Sequence, residues 1–247
     1  VAGVEVQTEV IWDIAQGNKM PRIIFINKLE RENSCFETVV EQMREKYGTG
    51  IVPLQLPMGK EADFVGMIDL LNEKAYKFEN GKSVEIPIPE EYMEEYEANR
   101  TYLIEVAAES CDELLLKYLE GEVPTNKEIL SALRMGIANG EIFPVVGGSV
   151  AKNMGIDILM DICVDLLPIP TVNAAAPASA IVFKTLADPF VGKLSFIKVI
   201  DGQFNAGDGI YNVSNDIEEK VNNFIIPCGK QQSTVTTANA GDIVAIA

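Results

Sequence analysis

The run Arg22-Ile23-Ile24-Phe25-Ile26 constrains this chain more than any other stretch. Four consecutive apolar residues, three of them Ile, ask for burial on both faces, the mark of a strand inside a parallel sheet. The polar cluster Asn27-Lys28-Leu29-Glu30-Arg31 follows at once. In an open α/β sheet, ligands are held just beyond the carboxyl ends of the strands, so this cluster stands where a ligand would be read. The flanks agree. Upstream, Val4 to Ala15 reads as a helix with Val6, Val10, Ile11 and Ile14 on one side, closed by Gly17-Asn18. Downstream, Ser34-x-x-Glu37 has the form of a capping box, and Phe36, Val39, Val40, Met43 and Tyr47 form an apolar face ended by Gly48. Helix, strand, polar loop, helix is the grammar of a doubly wound α/β domain.

The residue types of the cluster have a chemical fit. A carboxylate such as Glu30 accepts two hydrogen bonds from the adjacent imino and amino groups of guanine, a pair that adenine does not offer. The Lys28 stem can lie along the face of a base with its charge in solvent, and Asn27, donor and acceptor at once, can brace the loop. A second buried strand, Glu141 to Val146, leads into Gly147-Gly148-Ser149-Val150-Ala151-Lys152 and a helix from Gly155 through Leu167. Glycines let backbone approach a ligand, and the N–H groups of such a turn can face an acceptor such as a keto oxygen. Taken singly, each loop also reads as an ordinary polar connection between strand and helix.

Between these strands the pattern changes. Ile51 to Gly59 is extended and broken by prolines; Met67–Leu71 and Lys74–Phe78 read as short strands, and Asn80-Gly81 as a tight turn. Glu90 to Leu119 is helical, as one or two helices, with Leu103, Val106, Leu114, Leu115 and Leu119 as its apolar face. From Glu85 to Glu122 there are twelve acids against two bases, either a solvated face or a partner surface. Thr125-x-x-Glu128 is a further capping box, followed by Ile129, Leu133, Met135 and Ile137 and closed by Asn139-Gly140. A proline-rich linker, 168–178, precedes a region of short strands: Ala180–Lys184, Lys193–Val199, Gly209–Val213 and Ile243–Ile246, between glycine turns. That spacing predicts a small antiparallel β-barrel.

Composition excludes several classes. The net charge of −17 is uneven: residues 181–247 carry five lysines against seven acids, which leaves −15 upstream. Such a surface repels phosphate backbones, so strong autonomous binding to nucleic acid is not expected. The chain has no histidine, which removes histidine acid–base catalysis within it. Cys35, Cys111, Cys163 and Cys228 are far apart and form no metal or disulfide spacing, which fits a reducing cytosol. No apolar run reaches the length of a membrane span and no signal peptide is visible.

Several of these pieces, in this order, resemble the elongation factor G family of ribosome-dependent translational GTPases. Gly3-Val4-Glu5-Val6-Gln7-Thr8-Glu9, Pro21-Arg22-Ile23, Asn27-Lys28-Leu29-Glu30-Arg31 and Gly148-Ser149-Val150-Ala151-Lys152 resemble the later half of its G domain. Ala187-Asp188-Pro189-Phe190-Val191-Gly192-Lys193-Leu194-Ser195-Phe196 and Gly241-Asp242-Ile243 resemble its second domain. The resemblance covers essentially the whole chain. It implies residues 1–57 and 125–167 as the C-terminal part of a doubly wound GTPase domain, 58–124 as an acidic α+β insertion, and 179–247 as the translation-factor β-barrel, with room for a missing last strand. It implies guanine contacts at Asn27, Lys28, Glu30, Ser149 and Val150, with GTP or GDP as the ligand of the full-length protein. It implies the ribosome as partner, the large-subunit stalk protein meeting the acidic insertion, and a cytoplasmic setting without membrane contact. Glu30 stands where the family has Asp, and Val150 where it has Ala. The sequence contains no Gly-x-x-x-x-Gly-Lys-[Ser/Thr] loop, so the phosphate cradle, the switches, the magnesium site and any catalytic residue are expected outside this chain, which alone is expected to be inactive. The alternatives are a non-hydrolysing ribosome-interaction module descended from such a GTPase, and a ribosomal-protection-type paralogue.

Overall fold

A computed structural model describes residues 1–188, 192–229 and 231–247. The centre of the Asp188-Pro189-Phe190-Val191-Gly192 run therefore lies outside the described residues. The chain divides into two compact units, 1–168 and 169–247.

The first unit opens with helix α1 (Val6–Gly17), strand β1 (Ile24–Ile26), helix α2 (Phe36–Tyr47) and strand β2 (Ile51–Pro53). An antiparallel set follows, β3 (Gln55–Met58), β4 (Gly66–Asp69), β5 (Lys74–Glu79) and β6 (Lys82–Ile86). Then come helices α3 (Met93–Glu109), α4 (Asp112–Leu119) and α5 (Asn126–Asn139), strand β7 (Phe143–Gly147) and helix α6 (Ile156–Leu166). The parallel sheet has the order β1-β7-β2, with Ile26 opposite Gly147 and Ile51 opposite Phe143. β7 is central, and all five of its residues are buried, as its apolar run requires. β1, expected to be fully buried, is not: it lies at the sheet edge and only Ile26 is buried outright. An edge strand has a neighbour on one side only, so its other flank stays partly accessible.

α1 corrects the sequence reading more sharply. Its aliphatic residues Val6, Val10, Ile11 and Ile14 are all exposed, and the helix buries Trp12 instead. The indole stacks on Tyr47 at 4.0 Å between ring centroids and meets Phe143 edge-on at 4.7 Å. The Arg22 guanidinium lies over both Trp12 and Phe143. One ring that buries a large area and adds aromatic and cation–π contacts sets the docking face against four smaller side chains. The Ser34 capping box is not formed either. The N-cap of α2 is Cys35, without a side-chain cap, and Ser34 Oγ instead donates to the Leu29 carbonyl at 2.8 Å.

The antiparallel sheet runs β3-β4-β5-β6 in order. Asn80 and Gly81 both have positive φ in the β5–β6 turn, the conformation that a two-residue hairpin needs. The acidic stretch forms two helices. Leu103, Val106 and Leu114 enter the core, but Leu119, at the end of α4, is exposed. The predicted capping box of α5 is formed: Glu128 N–H donates to Thr125 Oγ1, and Thr125 N–H donates back to the Glu128 carboxylate. Ile129, Leu133 and Ile137 are buried, whereas Met135 faces solvent. Gly140 ends the helix in the left-handed region, at φ 75°, where a side chain costs energy.

The second unit is antiparallel β throughout: β8 (Ser179–Asp188), β9 (Gly192–Asp201), β10 (Gln203–Asn205), β11 (Gly209–Asn212), β12 (Ile217–Lys220), β13 (Phe224–Cys228), β14 (Gln231–Val235), β15 (Thr237–Asn239) and β16 (Ile243–Ile246). Five strands pair in the order β14-β13-β16-β9-β8, and β10-β15 and β11-β12 form two-stranded ribbons. The β character is as expected. Closure into a barrel is not carried by these pairings. A small core of Ile197, Val199, Val221, Phe224, Ala238 and Val244 holds the unit together.

Candidate functional site

Parallel pairing of β1 with β7 sets their carboxyl ends side by side. The loops that leave them, 27–31 and 148–155, are joined by backbone and side chain. Gly148 N–H donates to the Ile26 carbonyl at 3.1 Å, and Leu29 N–H donates to the Gly148 carbonyl at 3.3 Å. Asn27 Oδ1 accepts both its neighbour's N–H, from Lys28 at 2.7 Å, and the Val150 N–H at 3.0 Å. One carboxamide oxygen thus ties two loops 123 residues apart in sequence.

Each predicted residue has a definite place. Lys28 is exposed and adopts φ 68°, a conformation uncommon for a side-chain-bearing residue and concentrated at functional loops. Leu29 is the buried anchor of its loop, at 4 % exposure. Glu30 is half-buried, and its Oε2 is shielded from solvent with no hydrogen-bond partner among the described residues. A buried acceptor without a donor is rare and costly. Ser149 is wholly buried; its Oγ accepts the Lys152 N–H at 3.2 Å, and its backbone pairs with Met154 in both directions, at 3.0 and 2.9 Å. Ser149 therefore shapes its loop from within. Val150, in contrast, is 57 % exposed at the tip. Asn27 and Val150 are in direct contact; Lys28, Glu30 and Ser149 flank that junction without bonding one another.

Two further residues shape the loops without being among the five predicted contacts. Ser34 holds the first loop by its bond to Leu29, and the only sequence signal there, a Ser before an apolar run, pointed to a helix cap. Gly148 permits the close approach: a Cβ on it would lie 2.4 Å from the Met154 carbonyl oxygen and 3.0 Å from the Phe25 ring, so any side chain would push the second loop away.

A separate cleft of about 410 Å³ opens between the antiparallel sheet and α6, lined by Asp69, Lys74, Tyr76, Asp157, Asp161 and Asp165 among others. None of the five predicted residues lines it. Lys74 is paired with Glu85 at 2.7 Å, and that hydrogen bond raises its pKa beyond the ordinary lysine range. Burial alone would raise the Asp157 carboxyl. The hydroxyl and N–H of Ser83, with the Ile158 N–H, outweigh it and hold the group below the usual carboxylate range.

A parallel α/β sheet with two loops tied at its carboxyl edge, followed along the chain by an antiparallel β unit, defines a class shared with GTP-binding translation factors, and comparison with known proteins agrees. The profile of the elongation factor Tu GTP binding domain matches residues 1–169, and that of elongation factor G domain 2 matches residues 177–247. An elongation factor G-like protein of Thermotoga maritima is 36 % identical over 264 aligned residues, covering 100 % of this chain and 38 % of the relative. Elongation factor G of Mycoplasma pneumoniae is 36 % identical over 265 residues, covering 99 % of this chain and 38 % of its own length. A crystal structure of a Thermus thermophilus protein superposes with a TM-score of 0.87 at 29 % identity, over 99 % of this chain and 37 % of that one. The chain belongs to the elongation factor G family of translational GTPases, and it spans 38 % of the length of the curated relatives it matches.

Proposed function

We propose that this chain carries the base-reading part of a ribosome-dependent GTPase of the elongation factor G type. In this reading Glu30 accepts from the imino and amino groups of guanine, Lys28 covers the ring, and Asn27 braces the two loops. Ser149 shapes the second loop, whose Val150 N–H offers a donor to the keto oxygen. The observation that carries it is the unpartnered, shielded Oε2 of Glu30 beside the Asn27–Val150 junction. A turn of the side chain that brings this oxygen to the surface would let a bound amino group satisfy it. GTP, when bound, supplies the phosphoanhydride that is hydrolysed. The phosphate-loop motif that grips phosphate and magnesium in such enzymes is not found in this sequence, so the nucleotide contacts proposed for residues 1–168 are to the base.

The ribosome, its stalk protein and a cytoplasmic setting belong to the same reading. Glu94, Glu95 and Glu97 of α3 are exposed, and an acidic helix face steers a basic partner surface towards it.

A second reading has its own support. The Val150 N–H is already satisfied by Asn27, so base binding there must exchange one acceptor for another. Glu30 also carries one methylene more than the family Asp. Both features suit an interaction module that no longer turns over nucleotide.

The test is titration of the isotope-labelled chain with guanosine, inosine and adenosine, followed by amide NMR. Shifts at Asn27–Glu30 and Ser149–Lys152 with guanosine, weaker with inosine and absent with adenosine, are expected. Equal responses to all three nucleosides would remove the assignment of Glu30 to the exocyclic amino group.

A further inference from the structure

The second loop is held from outside by an element that belongs to the antiparallel sheet. Among the described residues β6 is an edge strand, paired only with β5, so it has outward backbone groups that need partners. Ser83 N–H donates to Asp157 Oδ2 at 3.0 Å, and Ser83 Oγ donates to Asp157 Oδ1 at 2.6 Å. Two residues before it, the Gly81 carbonyl accepts Asn153 Nδ2 at 2.9 Å. Gly81 is close enough that a Cβ there would stand 3.1 Å from that nitrogen. The Phe78 ring supports the loop's far end, 3.3 Å from where a Cβ on Gly155 would lie, and rests edge-on against Phe64. Asn153 and Gly155 both adopt positive φ, at 53° and 75°. The loop between Ser149 and Asp157 is therefore bent sharply, and three neighbouring contacts of the hairpin keep it so. Val150 sits at its tip, with its N–H aimed at Asn27.

We propose that the β5–β6 hairpin is a positioning latch for the second base loop, with Ser83, Asp157, Asn153 and the Gly81 carbonyl as its working parts. The inference rests on the reading of the two loops as a guanine site. None of these four residues touches the base in that reading. They act through the Ser149–Met154 turn, by fixing where the Val150 N–H points before a ligand arrives. A loop already ordered loses less conformational freedom on binding, so a base can exchange its keto oxygen for Asn27 Oδ1 at the Val150 N–H without reordering the turn. The latch also explains a side-chain choice: Asn153 satisfies an outward carbonyl of the hairpin while tolerating the left-handed backbone that the turn needs.

The experiment uses the 247-residue chain and its Ser83→Ala/Asn153→Ala variant, with Ser83→Thr as the conservative control because it keeps the hydroxyl. Hydrogen exchange at Val150–Met154 and NMR affinities for guanosine and inosine are measured, with thermal unfolding as the check on folding. Loss of two hydrogen bonds that order the loop should weaken guanosine about five- to tenfold, speed exchange at these amides and narrow the guanosine–inosine preference. Ser83→Thr should leave all three as in the unsubstituted chain. Guanosine affinity, preference and exchange unchanged in a folded double variant would overturn the latch and leave the guanine site standing. Absence of guanosine binding in the unsubstituted chain would overturn the guanine site and the latch with it. If the double variant fails to fold, Asn153→Asp alone decides: it removes the donor to Gly81, and unchanged exchange and affinity in it would equally overturn the latch.

Discussion

Glu30 is the residue on which the chemistry turns. Its Oε2 is buried without a donor among the described residues, and its side chain is one methylene longer than the family's Asp. A bidentate pair tolerates displacements of only a few tenths of an ångström, so in the proposed guanine contact the extra carbon would weaken one of the two bonds. Glu30→Asp in a nucleotide-binding protein that contains this chain should therefore tighten GDP by about 1 kcal/mol, close to fivefold, as the charge-assisted geometry improves. Isothermal titration with GDP and inosine diphosphate checks this; equal affinities, unmoved by the substitution, would separate the carboxylate from the amino group. Glu128 supplies a prediction of another kind. The hydrogen bond from Lys117 first, then those from the Thr125 hydroxyl and N–H, hold its pKa at about 2. A carboxyl held low in the folded state contributes stability that is present above its unfolded value. That contribution fades as pH falls towards the folded one. The window runs from 4.5 down to about 2. Across it the melting temperature of the unsubstituted chain should fall more steeply than that of Glu128→Gln, with the two curves converging at the acid end. Parallel curves by circular dichroism would show that the capping carboxylate is not held low.

Among elements, legibility followed how much of the answer is local. The α5 caps were readable because Thr125 and Glu128 act within its first turn and Gly140 within its last. β7 was readable because a central parallel strand is apolar on both faces. α1 was not: four aliphatics at helical spacing outweighed one Trp on the page, yet Trp12 had Tyr47 and Phe143 to pack on, and those partners are distant in sequence. Ser34 misled for a different reason: the Leu29 carbonyl, only five residues back, competed for its hydroxyl. β14, Gln231–Val235, carries no alternation and only a polar run, so its pairing with β13 leaves no periodic trace. The two site loops were visible as sequence, but the Asn27–Val150 bond that joins them exists only through the β1–β7 pairing. For α3, sequence and structure together make a prediction. Glu94, Glu95 and Glu97 stand exposed while Tyr96 and Leu103 turn inward. Association with a basic stalk-type partner should weaken severalfold from low to physiological salt and weaken again when the three glutamates become Gln. Binding indifferent to both changes would leave these acids as a solvated face.

At the scale of the molecule, charge and chemistry are divided. The acids concentrate upstream of residue 181, on the unit that also holds the candidate base loops. In GTPases most nucleotide affinity comes from lysine, backbone N–H groups and magnesium on the phosphates, and the base contributes selectivity. No phosphate-loop motif occurs in the 247 residues, and the strongly negative unit repels phosphate instead. The 247-residue chain should therefore bind guanosine as well as it binds GDP, or better, and should release no phosphate from GTP above the uncatalysed rate. This inverts the order expected of a complete GTPase, where each added phosphate tightens binding. A phosphate-release assay and paired titrations of guanosine, GMP and GDP measure it. GDP affinity exceeding that of guanosine by a hundredfold, about 2.7 kcal/mol, would mean that this chain grips phosphate with groups that neither its motifs nor its charge reveal. A flat series from guanosine to GDP would confine its nucleotide chemistry to the loops that Asn27 ties together.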